Sequence, residues 1–416
     1  MAYVKQTWAN GSGGATPVNQ TRLNYIEQGI FDAHSLATGG NLAGGIYIDS
    51  FTGSDDARLT AAISAQQGTA GMPPIILGAR NYSFNQTRTL YSGLKLVGAF
   101  PSGPKNLEQS PNFVTSRVTL GSSITSGTAS WWVSPGANVF DIYMADFAVQ
   151  GNSGSSVHQF LDFPTSATMY ACQFHSLSFN FMRSVFGRKD RICAFTQVMM
   201  SGHWTINNTW DTFWNIGGSD NFFPMYLNAG TSQSGSQLGT YADNDYYILF
   251  SSLSNTNVGY LYLSMLNGWR GLKITGSGGN GLFIYGGVYE GYKASGTTTG
   301  GATLAAPGTC IRIEGGSGAF YGPNVGQGMA APDPAEGGLI HMTAGEWAFY
   351  GVEYYKGSMA ESTPCFFHTG GRASIFTALR RQSESWTARP GYKTTSTVGT
   401  GANTFYIAGD SSMTAL

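Results

Sequence analysis

Residues 48–78 read IDSFTGSDDARLTAAISAQQGTAGMPPIILG, and residues 79–98 continue ARNYSFNQTRTLYSGLKLVG. Ser54 or Asp55 can cap free amide N–H groups, and Leu59, Ala62 and Ile63 share one side, so the first part is expected to be a short helix. The second part reads as strands. Ile75 to Leu77 is a short buried run, Tyr82 and Phe84 alternate with polar residues, and Leu94, Leu96 and Val97 open another strand.

A Gly-Ser-Asp-Asp stretch before a helix, then strands around Gly78 to Tyr82 and a Gly-Leu-x-Leu-x-Gly strand from Gly93 to Gly98, resembles the opening of the pectate-lyase-like right-handed parallel β-helix. In such proteins the helix caps the N-terminal end of the coil, and viral tail spikes carry many domains of this kind. The resemblance implies an all-β fold, a single-stranded right-handed parallel β-helix, with a short N-terminal helical segment and a capping helix. It covers residues 48–98 closely, while the rest of the chain agrees in rhythm.

The composition is compatible with that fold. The chain has 416 residues, long enough for a large core, and only 11 % are charged while 13 % are aromatic. The 58 glycines follow no Gly-X-Y period, which excludes collagen, and apolar residues recur along almost the whole length, which argues against disorder. A formal net charge of −1 gives no electrostatic case for nucleic acid as a partner. No stretch approaches eighteen apolar residues, so no membrane insertion is expected, and no basic region followed by an apolar run marks a secretory signal. Cys172, Cys193, Cys310 and Cys365 are widely spaced beside apolar residues, so they read as buried free thiols, with a disulfide as the alternative and metal ligation disfavoured.

From Asn138 onward, strand, tight turn and strand alternate, and similar units recur. Their period of about 20 to 30 residues suits one turn of a solenoid with three short faces, whose turns share a core that none could bury alone. A β-sandwich is the competing architecture. The body is placed at residues 99–390, with the cap and first turns at 48–98 and loop insertions near 100–136, 228–247 and 291–308. Within the first insertion, Trp131 and Trp132 read as a core plug or part of a sugar platform, and core is preferred. Residues 391–416 are expected to close the coil or to contact a neighbouring subunit.

Residues 1–47 differ from the body. Trp8, the Gly11 to Gly14 turn, Thr16-Pro17, Asn19, Leu23-Asn24, Glu27 and Gly29-Ile30 resemble the N-terminal stretch of phage minor tail proteins and tail-fibre subunits. The resemblance implies an attachment or trimer-contact segment, with other tail or baseplate proteins as partners, a homotrimer as the assembly, and a virion working at the host cell surface. A helix docking on its own chain is the plainer alternative.

A glycan site needs aromatic surface and, for cleavage, two carboxylates about 5 to 9.5 Å apart. Adjacent turns of a β-helix lie about 4.8 Å apart, so acids one or two turns apart on one face meet that range. Three groups qualify. The first is the aromatic cluster His203, Trp204, Trp210 and Trp214 with Asp211 and Asp220. Asp243 and Asp245 beside Tyr246 form the second, next to an expected loop. The third is Glu290 and Glu353, in similar tyrosine-rich contexts next to Tyr289 and Tyr354, with Glu314 and Glu346 nearby. Tyr285 and Tyr350 add to a neutral aromatic surface suited to glycans or to a subunit interface. For each group the plain reading is core aromatics and solvated turn acids. Nucleophile motifs such as G-x-S-x-G, phosphate loops and H-x-x-x-H are absent from the sequence, so neither a cofactor nor a metal is expected. The calcium aspartates and catalytic arginine of pectate lyases find no match residue by residue. The expected function is a tail spike that attaches to a host-surface polysaccharide. The alternatives are a depolymerase that cleaves it with paired carboxylates, and a structural tail component.

Overall fold

The computed structural model describes residues 41–42, 44–99, 116–124, 129–151, 158–163, 167–187, 193–206, 213–219, 222–223, 227–229, 248–254, 257–258, 271–275, 280–291, 296–297, 303–304, 310–327, 339–355, 364–376, 378–380, 391–394, 404–407 and 414–415. The expected attachment segment, apart from its last few residues, lies outside the described residues.

The cap helix runs Asp55–Gly68. Ser54 caps it, its hydroxyl accepting from the Ala57 amide at 3.3 Å, and Asp55 and Asp56 sit in the first turn, where the helix dipole favours negative charge. Leu59 and Ala62 are buried and Ile63 packs partly against the same core. The two acids also tie the helix to the coil. Asp55 accepts from Arg80 Nη2 at 2.7 Å and from the Ser83 amide at 2.8 Å. Asp56 accepts from the Asn85 amide at 2.8 Å and from Arg88 Nη2 at 3.0 Å. Asp49 accepts from Arg80 Nε and from the Tyr82 hydroxyl, which itself accepts from the Gly78 amide at 2.6 Å. The Gly-Ser-Asp-Asp and Gly-x-x-x-Tyr motifs therefore satisfy backbone N–H groups at the start of the coil that would otherwise be orphaned.

Burial would raise the Asp55 carboxyl. The Arg80 hydrogen bond, the Ser83 amide and the charges of Arg80 and Arg58 outweigh it and hold the group below the usual aspartate range. A folded-state pKa below the unfolded one stabilises above the unfolded value, and that stabilisation is lost as pH falls through the folded one. The melting temperature is expected to fall as the pH drops below about 4, and Asp55→Asn is expected to flatten that dependence. Melting curves of both proteins between pH 6 and pH 2 check this.

Beyond the cap the chain winds as a parallel β-helix. Tyr143 pairs in parallel with Gln173 and Gln173 with Met199, so each of these positions lies one turn beyond the last. Turns are longer where insertions were expected, from Trp214 to Ile248 and from Leu272 to Ile311. A nine-stranded sheet runs from Asn41–Leu42 to Asn257–Val258, and a six-stranded sheet from Asn81–Phe84 to Leu227–Ala229. The third, of eighteen strands, is creased. Early turns supply two short strands to it, such as Gln159–Asp162 and Thr168–Tyr170, and later turns one long strand across the crease, such as Ile311–Tyr321 and Ile340–Tyr350. A four-stranded sheet from Val288–Gly291 to Ala378–Arg380 belongs to the last turns. Within the expected insertion at 100–136, Arg117–Leu120 and Ser130–Val133 are coil strands. At the C-terminal end, Gly391–Thr394, Thr404–Ile407 and Thr414–Ala415 add parallel strands to the turns before them.

Corners repeat from turn to turn. Asp141, Ala171 and Gln197 take left-handed backbone conformations at one corner, and Asp146, Ser176 and Gly202 at the next, with φ between +48° and +66°. The chain turns sharply at each while neighbouring turns stay hydrogen-bonded, as from the Ser176 amide to the Ser201 carbonyl at 2.8 Å. Inside, rings stack along the axis. Trp131 lies 5.3 Å from Phe84 and 6.0 Å from Phe160, and both Trp131 and Trp132 are fully buried, so this pair is core.

All four cysteines are free and buried. Burial pushes the Cys172 thiol up to about 12 and drives Cys193 well above the ordinary thiol range. A thiolate is the reactive form, so Ellman's reagent is expected to titrate fewer than one thiol per native chain and four after denaturation.

Candidate functional site

Burial decides the fate of several expected glycan contacts. His203 and Trp214 are fully buried, 5.7 Å apart ring to ring, with Phe179 and Phe186 around them. Burial pushes the His203 imidazole down to about 3, so the ring is neutral at physiological pH. Tyr289 and Tyr354 are also fully buried, in register with Val325 between them, and burial raises both phenols. These four side chains point into the coil and present no face to a saccharide, which corrects the expectation for them. Strand alternation turns one residue in two inward, and here the ring-bearing positions are the inward ones.

Trp210, Asp211, Asp220, Asp243, Asp245 and Tyr246 lie outside the described residues. Trp204 occupies a strand position opposite Ser178, and its side chain is likewise outside the described set. Glu290 and Glu353 belong to the same four-stranded sheet, two turns apart. Glu290 stands opposite Gly326 and Glu353 opposite Asn324, so the two are offset by two residues rather than stacked. That register puts their Cα positions about 12 Å apart. The Glu353 carboxylate accepts from Asn324 Nδ2 at 2.9 Å. Their similar local contexts do not make them equivalent positions: the matching positions are Tyr289 and Tyr354, one residue to opposite sides of the glutamates.

A different surface combines the features a glycan site requires. On the outer face of the creased sheet, Tyr285, Tyr321, Tyr350 and Phe376 form a ladder over four turns. Consecutive ring centroids are 4.8, 5.0 and 4.5 Å apart, with interplanar angles of 11°, 5° and 3°. The inward neighbours Ile284, Phe320, Phe349 and Ile375 are fully buried, which fixes the outward orientation of the ladder. Two residues back along each strand runs a lane of small side chains, Ala319, Ala348 and Ser374. Phe283 stands beside Ala319 at one end and Tyr406 beside Ser374 at the other. A further two residues back are Ser317, Glu346 and Arg372.

Large side chains on both sides of small ones make a shallow groove parallel to the coil axis. Each wall lies about 7 Å from the floor, and three turn spacings make it about 15 Å long. The stacked rings shield one another's faces, so the ladder wall offers ring edges and tyrosine hydroxyls. Burial and the neighbouring phenols raise the Tyr321 hydroxyl further, so it stays protonated. Phe283 and Tyr406, 38 % and 53 % exposed, leave ring surface open at the two ends. On the opposite wall Glu346 and Arg372 are 3.7 Å apart, with side chains 68 % and 54 % exposed. A pair that exposed contributes about 0 to 1 kcal/mol, so both groups are available to a ligand.

Across the crease on the same outer face, Lys273, Arg312 and His341 occupy successive positions of one row. Glu314 accepts from both cations, at 3.0 Å from Lys273 Nζ and 2.6 Å from Arg312 Nε. Lys273 is buried, as a lysine is when a carboxylate partners it. Among the described residues there is no group of three histidine, cysteine or acidic side chains placed to hold a metal ion. No described helix is long and apolar enough to cross a membrane.

No protein-family model matches the chain, and no curated protein matches its sequence. A solved structure does match in fold: the crystal structure of DFA-IIIase from Arthrobacter chlorophenolicus A6 in complex with GF2. The identity is 9 %, the TM-score 0.50, and the match covers 88 % of this chain and 94 % of that one. At that identity the likeness concerns the fold alone. With the parallel register of the strands, it shows a right-handed parallel β-helix of the pectate-lyase-like kind.

Proposed function

We propose that the protein binds an extended surface polysaccharide along the groove between the Tyr321–Tyr350–Phe376 ladder and the Glu346–Arg372 wall. The observation that carries this reading is the groove itself. It is a lane on the outer face of the sheet with aromatic surface on one side, an exposed carboxylate and guanidinium on the other, and exposed rings at both ends. Such a mixture of apolar surface with a few placed polar groups suits a sugar chain, which is apolar on its C–H faces and polar on its rim. In the fuller form of the proposal the protein is a tail spike. Residues 1–47 join it to other tail or baseplate proteins, a homotrimer is the working assembly, and the polysaccharide belongs to the host surface. The resemblance of residues 8–30 to tail-protein N-termini supports that form.

A depolymerase is the second reading, favoured by the likeness in fold to an enzyme and by a carboxylate in the groove. Fold analogy is weak support for chemistry. Glycoside hydrolysis by the usual route needs two carboxyl groups, and the described groove supplies Glu346. The test is to incubate the protein with surface polysaccharides of candidate hosts and to follow both retention and new reducing ends. Retention with unchanged chain length identifies an adhesin. Shortened chains that Glu346→Gln fails to produce identify a depolymerase acting in the groove. No retention and no shortening across the panel removes the proposal.

A further inference from the structure

A second cluster lies on the nine-stranded sheet, in turns that precede the groove. Ala145, His175 and Ser201 pair in register over three successive turns. His175 Nδ1 lies 2.5 Å from Ser201 Oγ, and its Nε2 lies 3.3 Å from Gln173 Oε1. The amide oxygen can only accept, so it selects the tautomer with the proton on Nε2. Nδ1 then carries the lone pair and accepts from the Ser201 hydroxyl. Asp146, at the corner next to Ala145, adds a negative charge that acts on the imidazole, and its own carboxylate accepts from Ser176. The Tyr143 ring is 5.8 Å from the imidazole. Tyr143, His175 and Ser201 are half-buried and Gln173 is exposed, so the cluster is open to solvent.

The arrangement has the parts of a nucleophilic centre: a hydroxyl on a base, a group that fixes the base's tautomer, and a nearby negative charge to stabilise the imidazolium. Burial lowers the His175 pKa more than the Asp146 charge raises it, so the ring is neutral and basic near pH 7. Ser201 closes a strand and is followed by Gly202 with φ +66°, so the chain turns away immediately after the hydroxyl.

We propose that Ser201, with His175 as general base, Gln173 as its positioning residue and Asp146 as the nearby charge, hydrolyses carboxylic esters. Ser201 Oγ bonds to the ester carbonyl carbon as its proton passes to His175 Nδ1. The bond from that carbon to the alkoxide oxygen breaks, and the alkoxide takes the proton and leaves as an alcohol. Water then attacks the acyl-serine with His175 again accepting the proton, which returns to Ser201 Oγ as the carboxylic acid departs. No oxidant, metal or cofactor enters this balance. The inference does not depend on the glycan groove.

The experiment treats the full-length native protein with a fluorophosphonate, maps the adduct by mass spectrometry, and follows p-nitrophenyl acetate hydrolysis in parallel. One adduct at Ser201, lost in His175→Ala, is expected, with hydrolysis at least about 100-fold slower in Ser201→Ala. The adduct is read on the wild-type chain, so it does not depend on any variant folding. Absence of an adduct at Ser201, labelling spread evenly over surface serines, or equal hydrolysis by Ser201→Ala overturns the proposal.

Discussion

Trp214→Ala is expected to lower the unfolding free energy by about 3 to 5 kcal/mol and to act on polysaccharide binding only through that loss. The indole is fully buried and meets Phe179, Phe186, His203 and Phe213 edge-on or tilted, with centroids 5.2 to 5.9 Å away. Removing it leaves a cavity bounded by rings from neighbouring turns. A solenoid core cannot close over such a void without shifting parallel strands against one another, so little of the cost is recovered by relaxation. Urea unfolding of wild type and variant measures the loss. A variant as stable as wild type contradicts the core assignment, and lost binding at full stability returns Trp214 to the surface.

Gly218→Ala is expected to cost at least about 3 kcal/mol, since backbone strain and a backbone clash combine. Gly218 lies in the strand Trp214–Ser219 where it passes over the crease, with φ +119° and a register shift against the next turn. A Cβ built there would stand 1.8 Å from the Phe195 carbonyl oxygen and 2.6 Å from the Phe195 amide nitrogen. Both obstacles belong to the paired strand of the preceding turn, so relief requires parting the two turns. The backbone angle is itself one that alanine rarely adopts. Expression and thermal melting of Gly218→Ala check this. A melting temperature within a degree of wild type contradicts the crease geometry.

The sequence spoke most clearly where one signal was reinforced by another. The Ser54 cap, the first-turn acids and the apolar face located the cap helix, and the Tyr82–Phe84 alternation was enough to turn both rings inward. The turn period was legible because glycine and polar corners recur with it. Orientation within the later turns was not. Short strands offer too few alternations to tell inside from outside, so Trp214, Tyr289 and Tyr354 looked as eligible for a surface as Tyr350 did. The groove depends on register between residues a full turn apart in the chain, from Tyr285 to Tyr321, Tyr350 and Phe376. A signal was present in the recurring segments FIYG, AFYG and AFYG, which span Phe283–Gly286, Ala319–Gly322 and Ala348–Gly351. Each places an outward residue, a buried one, an outward tyrosine and a glycine in order. Ser201 and His175 are likewise separated by a whole turn and match no local motif, so only the winding of the coil brings them together.

The measurement that bears most directly on the groove is polysaccharide binding by the double variant Tyr350→Ala, Phe376→Ala beside wild type, with melting curves of both. These rings are partly exposed, and an aromatic pair is worth about 0.5 to 1.5 kcal/mol beyond its burial, so the variant is expected to stay folded at the assay temperature. Binding is expected to weaken at least about 10-fold, which corresponds to about 1.4 kcal/mol. A folded double variant that binds as wild type does would contradict the assignment of the groove as the polysaccharide site.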